Sequence, residues 1–312
     1  MIIFVSVIIA VTLNTAASVI AAHLFFSREV AIVAIILILI AITALGLWWG
    51  GAALAEQFQG YVVAVRGVVR SLQEYLNSGA NGLFPAGSLD IEAAMPEFTT
   101  VFGSATKVVT ITGEATINFI LILFLSVFFA LSPGAYKSGL ISVVPLEKRA
   151  KATAALDRAG EAIGDWIAGQ AVSMLVVFAA TLVALLVAGM PYALVLSLLA
   201  GLLSFIPTIG PLISGLAIVI AGFSVSSTMA LCGLAIYVLV QFVETYLITP
   251  FVQQRAIHLP PAATLSAQLL VGAIFGPLGF AFAVPIAAAA KALVRELWVE
   301  PMERQAVASA PN

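Results

Sequence analysis

Glu244 is the only charged residue that falls well inside a long apolar run of this sequence, Thr228–Ile248. Gln241 stands three residues before it, on the same face of a helix. An ionisable group at membrane depth is costly, and by default it marks a site, here a proton- or cation-linked carboxylate with an amide at its side. The alternative is structural: a protonated Glu bonded to a neighbouring helix, or one close enough to an interface to be wetted. Asp165 and Gln170 begin another apolar run, Trp166–Ala188, where an acid at the wet start of a helix accounts for Asp165.

A second kind of candidate needs no charge. The run Tyr192–Gly222 is broken by Phe205-Ile206-Pro207-Thr208-Ile209-Gly210-Pro211, and Ala262–Leu297 is broken by Gly276-Pro277 and then Pro285. Proline removes an amide donor and clashes with the preceding turn. Backbone groups freed at membrane depth must be shielded by protein or face water, so both segments read as helix–break–helix hairpins. Half-helix ends expose amides and carbonyls that hold small polar solutes or ions without side chains. Pro207, Thr208, Gly210, Pro211, Gly276 and Pro277 are therefore candidates for a pathway. Leu198-Leu199-Ala200-Gly201 recurs as Leu269-Leu270-Val271-Gly272, and Gly210-Pro211-Leu212 as Gly276-Pro277-Leu278, a faint echo of an inverted pair with unequal spacing. Gly272 and Gly276 form a small-xxx-small pair, which reads as packing.

Other chemistries lack their residues. Cys232 is the single cysteine, which excludes an intramolecular disulfide and a cysteine metal cluster; it reads as a small apolar filler. His23 and His258 are the only imidazoles, so no multi-histidine metal site is predicted. No GxxxxGK[ST] loop is present for an ATP-driven pump, and neither an intramembrane aspartate pair nor a serine–histidine pairing is seen. The expectation is a protein that is not an enzyme, with no cofactor and no metal.

The elements that must carry these residues follow from composition. The 312 residues are 62% hydrophobic and 9% charged, with a mean hydropathy of +1.15. Soluble domains carry about a quarter charged residues, whereas runs of about 20 apolar residues need the bilayer's hydrocarbon core. Thirteen Lys and Arg against 15 Asp and Glu give no argument for a nucleic-acid partner. The fold class is an all-α polytopic membrane protein with a lipid-bilayer environment. Full spans are predicted at Ile2–Ala22, Val30–Gly50, Ala115–Leu131, Trp166–Ala188 and Thr228–Ile248, besides the two broken hairpins.

Basic residues set orientation. Placing Lys137, Lys148, Arg149, Lys151 and Arg158 in the cytoplasm puts Arg28, Arg255, Lys291, Arg295 and Arg304 there too and leaves Arg66, Arg70 and Lys107 outside. The C-terminus is then cytoplasmic, and the hairpins enter from opposite sides. Trp48 and Trp49 fall at the outer interface, Trp166 and Trp298 at the inner one. The N-terminus is left outside with no basic flank to explain it, as if a first helix were missing.

Glu56–Asn77 is amphipathic: Phe58, Val65 and Leu72, and likewise Tyr61, Val68 and Tyr75, recur every seven residues. Glu56, Gln59, Arg66, Arg70 and Glu74 occupy its polar face. Such a helix either covers the protein's own outer surface or joins subunits of a homo-oligomer. Asn77–Pro96 reads as a loop, and the chain re-enters through Phe98–Gly113.

Gly189-Met190-Pro191-Tyr192-Ala193 and Ile206-Pro207-Thr208-Ile209-Gly210-Pro211 resemble the autoinducer-2 exporter family, also called PerM-like permeases. The likeness continues through Gln241-Phe242-Val243-Glu244, Thr249-Pro250, Leu259-Pro260-Pro261, Leu270-Val271-Gly272, Phe275-Gly276-Pro277-Leu278-Gly279 and Ala283-Val284-Pro285. Gly169-Gln170 also fits, and the match covers about residues 160–297. The resemblance implies an inner-membrane secondary transporter, often oligomeric, of autoinducer-2 or a similar small polar solute, with sodium/proton antiport in other members. It implies hairpin roles for Pro207, Gly210 and Pro211 and pathway roles for Gln241 and Glu244; Gln170 joins the pathway candidates. This chain departs from the pattern at Thr245-Tyr246, at Gln254 and in the expected absence of the usual first helix.

The predicted organisation is 1–50, transmembrane helices; 51–114, an extracytoplasmic amphipathic segment; 115–165, a span and a basic cytoplasmic segment; 166–298, a transport core; and 299–312, a cytoplasmic tail. Antiport of a coupling proton or sodium through Glu244 is the second reading, and a non-transporting oligomeric scaffold the third.

Overall fold

The structure, a computed structural model, describes residues 1–24, 27–79, 113–248 and 259–303. Among these, every regular element is a helix. In order they are α1 (Ile2–Leu24), α2 (Arg28–Gly79), α3 (Gly113–Leu131), α4 (Pro133–Ser142), a short 3₁₀ turn (Leu146–Lys148), α5 (Arg149–Val187), α6 (Ala193–Leu203), α7 (Ile209–Phe223), α8 (Ser227–Val243) and α9 (Pro261–Val294). π-helical turns extend α8 over Glu244–Ile248 and α9 over Arg295–Val299. Helix is the structure that lets an apolar chain pair its own backbone groups in lipid. Arg28–Gly46, Leu146–Val187, Ser227–Leu247 and Pro261–Glu303 are each long and apolar enough to cross a bilayer. Large apolar side chains such as Leu37, Ile42 and Trp49 point away from the protein interior, as lipid-facing residues do. The protein is an all-α, multi-pass membrane protein.

Three boundaries differ from the sequence reading. The second span and the amphipathic segment are one helix of 52 residues, because no proline interrupts them and Gly50-Gly51 stays helical. The segment after the third span turns by 84° at Ser132 into α4, whose first residue, Pro133, suits a helix start. The helix of the fourth span begins at Arg149, so Asp165 lies within it and does not open it. The predicted loop beyond Gly79, the re-entry before Gly113, and Thr249-Pro250, Gln254, Arg255, His258 and Arg304 lie outside the described residues.

The chain forms two compact units. The first takes its residues from Met1–Ile42, Ile117–Val172 and the described part of Thr249–Asn312. There Ile8 of α1 packs among Ala159, Ala162 and Ile163 of α5 and Ala289 and Ala292 of α9. Ala10, Leu13 and Ala17 meet Ala31 and Ile32 of α2 and Ala130 of α3. Small side chains let membrane helices approach closely, which replaces the hydrophobic drive that lipid removes. Inside α9, Gly276 has φ 69° and ψ −155°, a backbone region that is essentially glycine's alone. A Cβ on Gly272 would lie 3.0 Å from the Phe280 ring. Residues eight apart in a straight helix stand about 12 Å apart, so the two arms of α9 fold back on each other. The expected second break is a hairpin.

The second unit, from Thr43–Thr116 and Ser173–Ile248, has its core where Tyr61 meets Leu185, Met190, Leu196, Ala217 and Ile218. Tyr61 and Val65 of the heptad stripe are thus used against the chain's own helices, while Leu72 stays half exposed.

Candidate functional site

α6 has 11 residues and α7 has 15, too few for either to cross the hydrocarbon core alone. They form the first predicted hairpin. α6 ends at Ser204, whose N–H donates to Ala200 O at 3.0 Å, and Ile206 N–H donates to Leu203 O at 2.9 Å. Thr208 follows Pro207 at φ 74° and ψ −57°, and Ile209 N–H donates back to Pro207 O at 2.9 Å. That is a γ-turn of the rare, strained hand, occupied by a β-branched residue. Gly210 then allows α7 to start against the end of α6, since a Cβ there would collide with Leu203 O. Each of the sequence candidates Pro207, Thr208 and Gly210 has a definite part in this turn.

Opposite the hairpin, within the same unit, stand the C-terminal part of α5 from Ser173 onward and α8. Ser226 starts α8 by accepting from Met229 N–H at 3.1 Å, the usual N-cap arrangement. Gly215 of α7 leaves room for the Tyr237 ring, which a Cβ would meet at 2.6 Å. Toward the far end of α8, Glu244 is half-buried and opens the π-helical turn. Isolated π turns are uncommon and recur at functional sites. Ser173 Oγ donates to Glu244 Oε1 at 3.0 Å, and Gln241 Nε2 donates to Glu244 Oε2 at 3.2 Å. Both carboxylate oxygens are therefore engaged, and Ser173 is itself buried. Gln241 Nε2 also reaches Thr245 Oγ1 at 3.5 Å.

These elements line a narrow cleft walled by Thr181, Ser204, Ser214, Tyr237, Gln241 and Glu244 and by apolar side chains between them. Its part that a water can enter is only about 10 Å³, room for about one molecule. Thr181, Ser204 and Ser214 are all buried. Ser204 Oγ donates to Gly201 O at 2.8 Å and Ser214 Oγ to Pro211 O at 2.9 Å. Both hydroxyl hydrogens are thus donated to carbonyls of their own helices. A carboxylate, an amide and several hydroxyl oxygens inside apolar walls suit a small hydrogen-bonding solute or a hydrated cation. The cleft is nearly shut.

The cleft brings together Pro211, Gln241 and Glu244, and the adjoining turn holds Pro207, Thr208 and Gly210. Gln170, Gly276 and Pro277 belong to the first unit, where Gly276 makes the break in α9. Sequence reasoning missed Ser173, Thr181, Ser204, Ser214 and Tyr237. Ser173 and Thr181 stand at i and i+8 on one helical stripe of an apolar run, and Tyr237, Gln241 and Glu244 repeat at i, i+4 and i+7. Those spacings carry the information, but hydroxyls are common in membrane helices. Among the described residues, no group of three or more His, Cys, Asp and Glu side chains is placed to hold a metal ion.

Comparison with known proteins agrees with the resemblance. The candidate transport proteins YueF and YrrI of Bacillus subtilis (strain 168) are each 28% identical to the chain. YueF aligns over 193 residues, 62% of this chain and 50% of its own length; YrrI aligns over 152 residues, 49% and 43%. A candidate transport protein of Mycobacterium tuberculosis, MT0215, is 35% identical over 105 residues, 33% of this chain and 29% of its own. The aligned parts span about half or less of these relatives. The family profile described as AI-2E family transporter matches residues 1–298, so the broken hairpins, the cleft and Glu244 all fall within it, and the chain belongs to the AI-2E transporter family.

Proposed function

We propose that this chain is a secondary transporter of a small polar solute, autoinducer-2 or a compound of similar chemistry, and that the solute passes through the cleft between the α6–α7 hairpin, α5 and α8. The observation that carries the reading is the carboxylate of Glu244, held at both oxygens by Ser173 and Gln241 and set among buried hydroxyls in otherwise apolar walls. Maintaining a carboxylate and its partners in such a place is costly, and it is repaid when a polar solute or ion must cross there. In this proposal the turn Pro207–Pro211 shapes one wall, and Gln170, Gly276 and Pro277 contribute to the pathway elsewhere. The protein sits in the inner membrane with its C-terminus in the cytoplasm, as ten of the 13 basic residues favour. It assembles as a homo-oligomer, a role for which the exposed Leu72 and Val63 of α2 are available.

A second reading is sodium/proton antiport, favoured by the same observation, because one carboxylate with neutral neighbours is what alternating proton and cation occupancy requires. Purified protein in liposomes separates the two. Uptake of a labelled small polyol in the absence of a sodium effect supports solute transport; a sodium-dependent change in internal pH supports antiport. Neither activity in protein of verified orientation would overturn both.

A further inference from the structure

Gln57, Gly60 and Tyr61 lie on one face of α2, outside the cleft, and they engage both arms of the hairpin. The first turn of α6 lacks a cap of its own: Tyr192 occupies the N-cap position at φ 59° and ψ 26° and supplies no side-chain acceptor. Instead Gln57 Oε1 accepts from Leu194 N–H at 3.2 Å and from Val195 N–H at 3.4 Å. One amide from a helix more than a hundred residues away thus satisfies two of the donors that a helix start leaves open. One turn further, Gly60 gives the Tyr192 ring its seat, since a Cβ would stand 2.6 Å from that ring. Tyr61 meets Tyr192 edge to face at 6.0 Å between centroids. Its own hydroxyl, buried, donates to Ala217 O on α7 at 3.3 Å.

α6 carries Ser204 of the cleft at its far end, and α7 carries Pro211 and Ser214. A helix held at one end transmits its tilt to the other, because its interior is close-packed and stiff. We propose that Gln57 and Tyr61 are positioning residues that clamp α6 and α7 respectively to α2, and that this clamp keeps the cleft closed. The clamp acts through the hairpin arms and touches no solute. The inference goes beyond the transport reading, because closure is read directly and not by flux.

The test uses thiol accessibility in membrane vesicles, in a Cys232→Ala background. Reporter cysteines are placed singly at Ser204 or Ser214, and the rate of modification by a small cationic methanethiosulfonate is measured. Gln57→Leu, which removes the acceptor, should raise the rate at Ser204→Cys roughly fivefold, the scale of losing a helix cap. Tyr61→Phe, which removes only the hydroxyl, should raise the rate at Ser214→Cys by a similar factor. Gln57→Glu keeps an acceptor, and its negative charge suits a helix N-terminus, so the slow rate should return. If Gln57→Leu fails to insert, Tyr61→Phe and Gln57→Glu still decide. Parental rates in Gln57→Leu and Tyr61→Phe, or a Gln57→Glu protein as reactive as Gln57→Leu, would overturn the clamp whether or not the chain transports anything.

Discussion

Ser173 donates its hydroxyl hydrogen to Glu244 at 3.0 Å, joining α5 to the π-helical turn after α8 across 71 residues of sequence. The other carboxylate oxygen is held by Gln241 at 3.2 Å, one turn away on the same helix. The carboxylate is thus fixed from two helices. Glutamine at position 244 keeps the shape, and the hydroxyl of Ser173 and the amide of Gln241 can each turn to meet it. Glu244→Gln therefore removes charge with little loss of structure. Coupled flux in liposomes should fall at least tenfold, equivalent to about 1.4 kcal/mol, with insertion and assembly unchanged. Flux at the parental level would leave Glu244 a structural residue.

Ser173 and Gln241 should behave as one unit with Glu244. Ser173→Ala and Gln241→Leu each remove one donor to the carboxylate, at a cost of about 1–3 kcal/mol. Combined with Glu244→Gln, either should add less than its separate effect, by roughly 0.5–3 kcal/mol of coupling. Thermal unfolding in detergent, read for the singles and the doubles, measures this. Strict additivity would mean that the three side chains act independently.

Thr208 holds a left-handed γ-turn that glycine adopts without steric cost. Strain of this kind is of the order of 1–3 kcal/mol, partly offset by glycine's freer unfolded chain. Thr208→Gly should leave the Tm equal or higher. It should also slow transport, because the turn no longer holds the hairpin arms in one geometry. A lower Tm would show that the Thr208 side chain contributes packing that outweighs its backbone strain.

Glycines with different surroundings should respond differently to alanine. At Gly210 a Cβ runs into the Leu203 carbonyl, a backbone atom that cannot step aside, so Gly210→Ala should abolish stable expression. At Gly276 there is open space, but the backbone conformation excludes a side chain, and Gly276→Ala should cost about 1–3 kcal/mol. Gly67, helical with nothing within 4 Å, should gain up to about 1 kcal/mol as alanine. Detergent Tm values in the order Gly67→Ala, parent, Gly276→Ala would meet the expectation.

Much of this could be read from the residues. Long apolar runs imply helices because lipid offers the backbone no other partner, and Pro207–Pro211 and Gly276-Pro277 imply breaks because proline lacks a donor. Glu244 stood out because charge is rare at depth. The grip of Gln57 on α6 was not legible: one amide beside an apolar stripe gives no sign of which distant N–H it will reach. Tyr61 was visible as a heptad position, but periodicity reports that a face is covered and not what covers it. The 84° turn at Ser132 and the length of α2 also escaped, since local sequence permits a bend or a straight helix and packing decides between them. Ser173 was hidden by its commonness, and only the fold brings it to Glu244.

The shortness of α6 and α7 has a consequence for biosynthesis. Neither arm, about 16 and 22 Å long, can partition into the bilayer as a spanning helix, so the hairpin must be received by protein already in place. α2 and α5 precede it on the nascent chain, and Gln57 and Tyr61 are therefore waiting when Tyr192 emerges. α8 follows it, so the cleft lacks one of the two walls opposite the hairpin until the chain beyond Ser226 has been made. In that interval the hairpin is held only from the side synthesised first. The growing chain thus passes through a half-lined stage, in which Ser204 and Ser214 already have their local backbone partners, Gly201 O and Pro211 O, but Gln241 and Glu244 are not yet made.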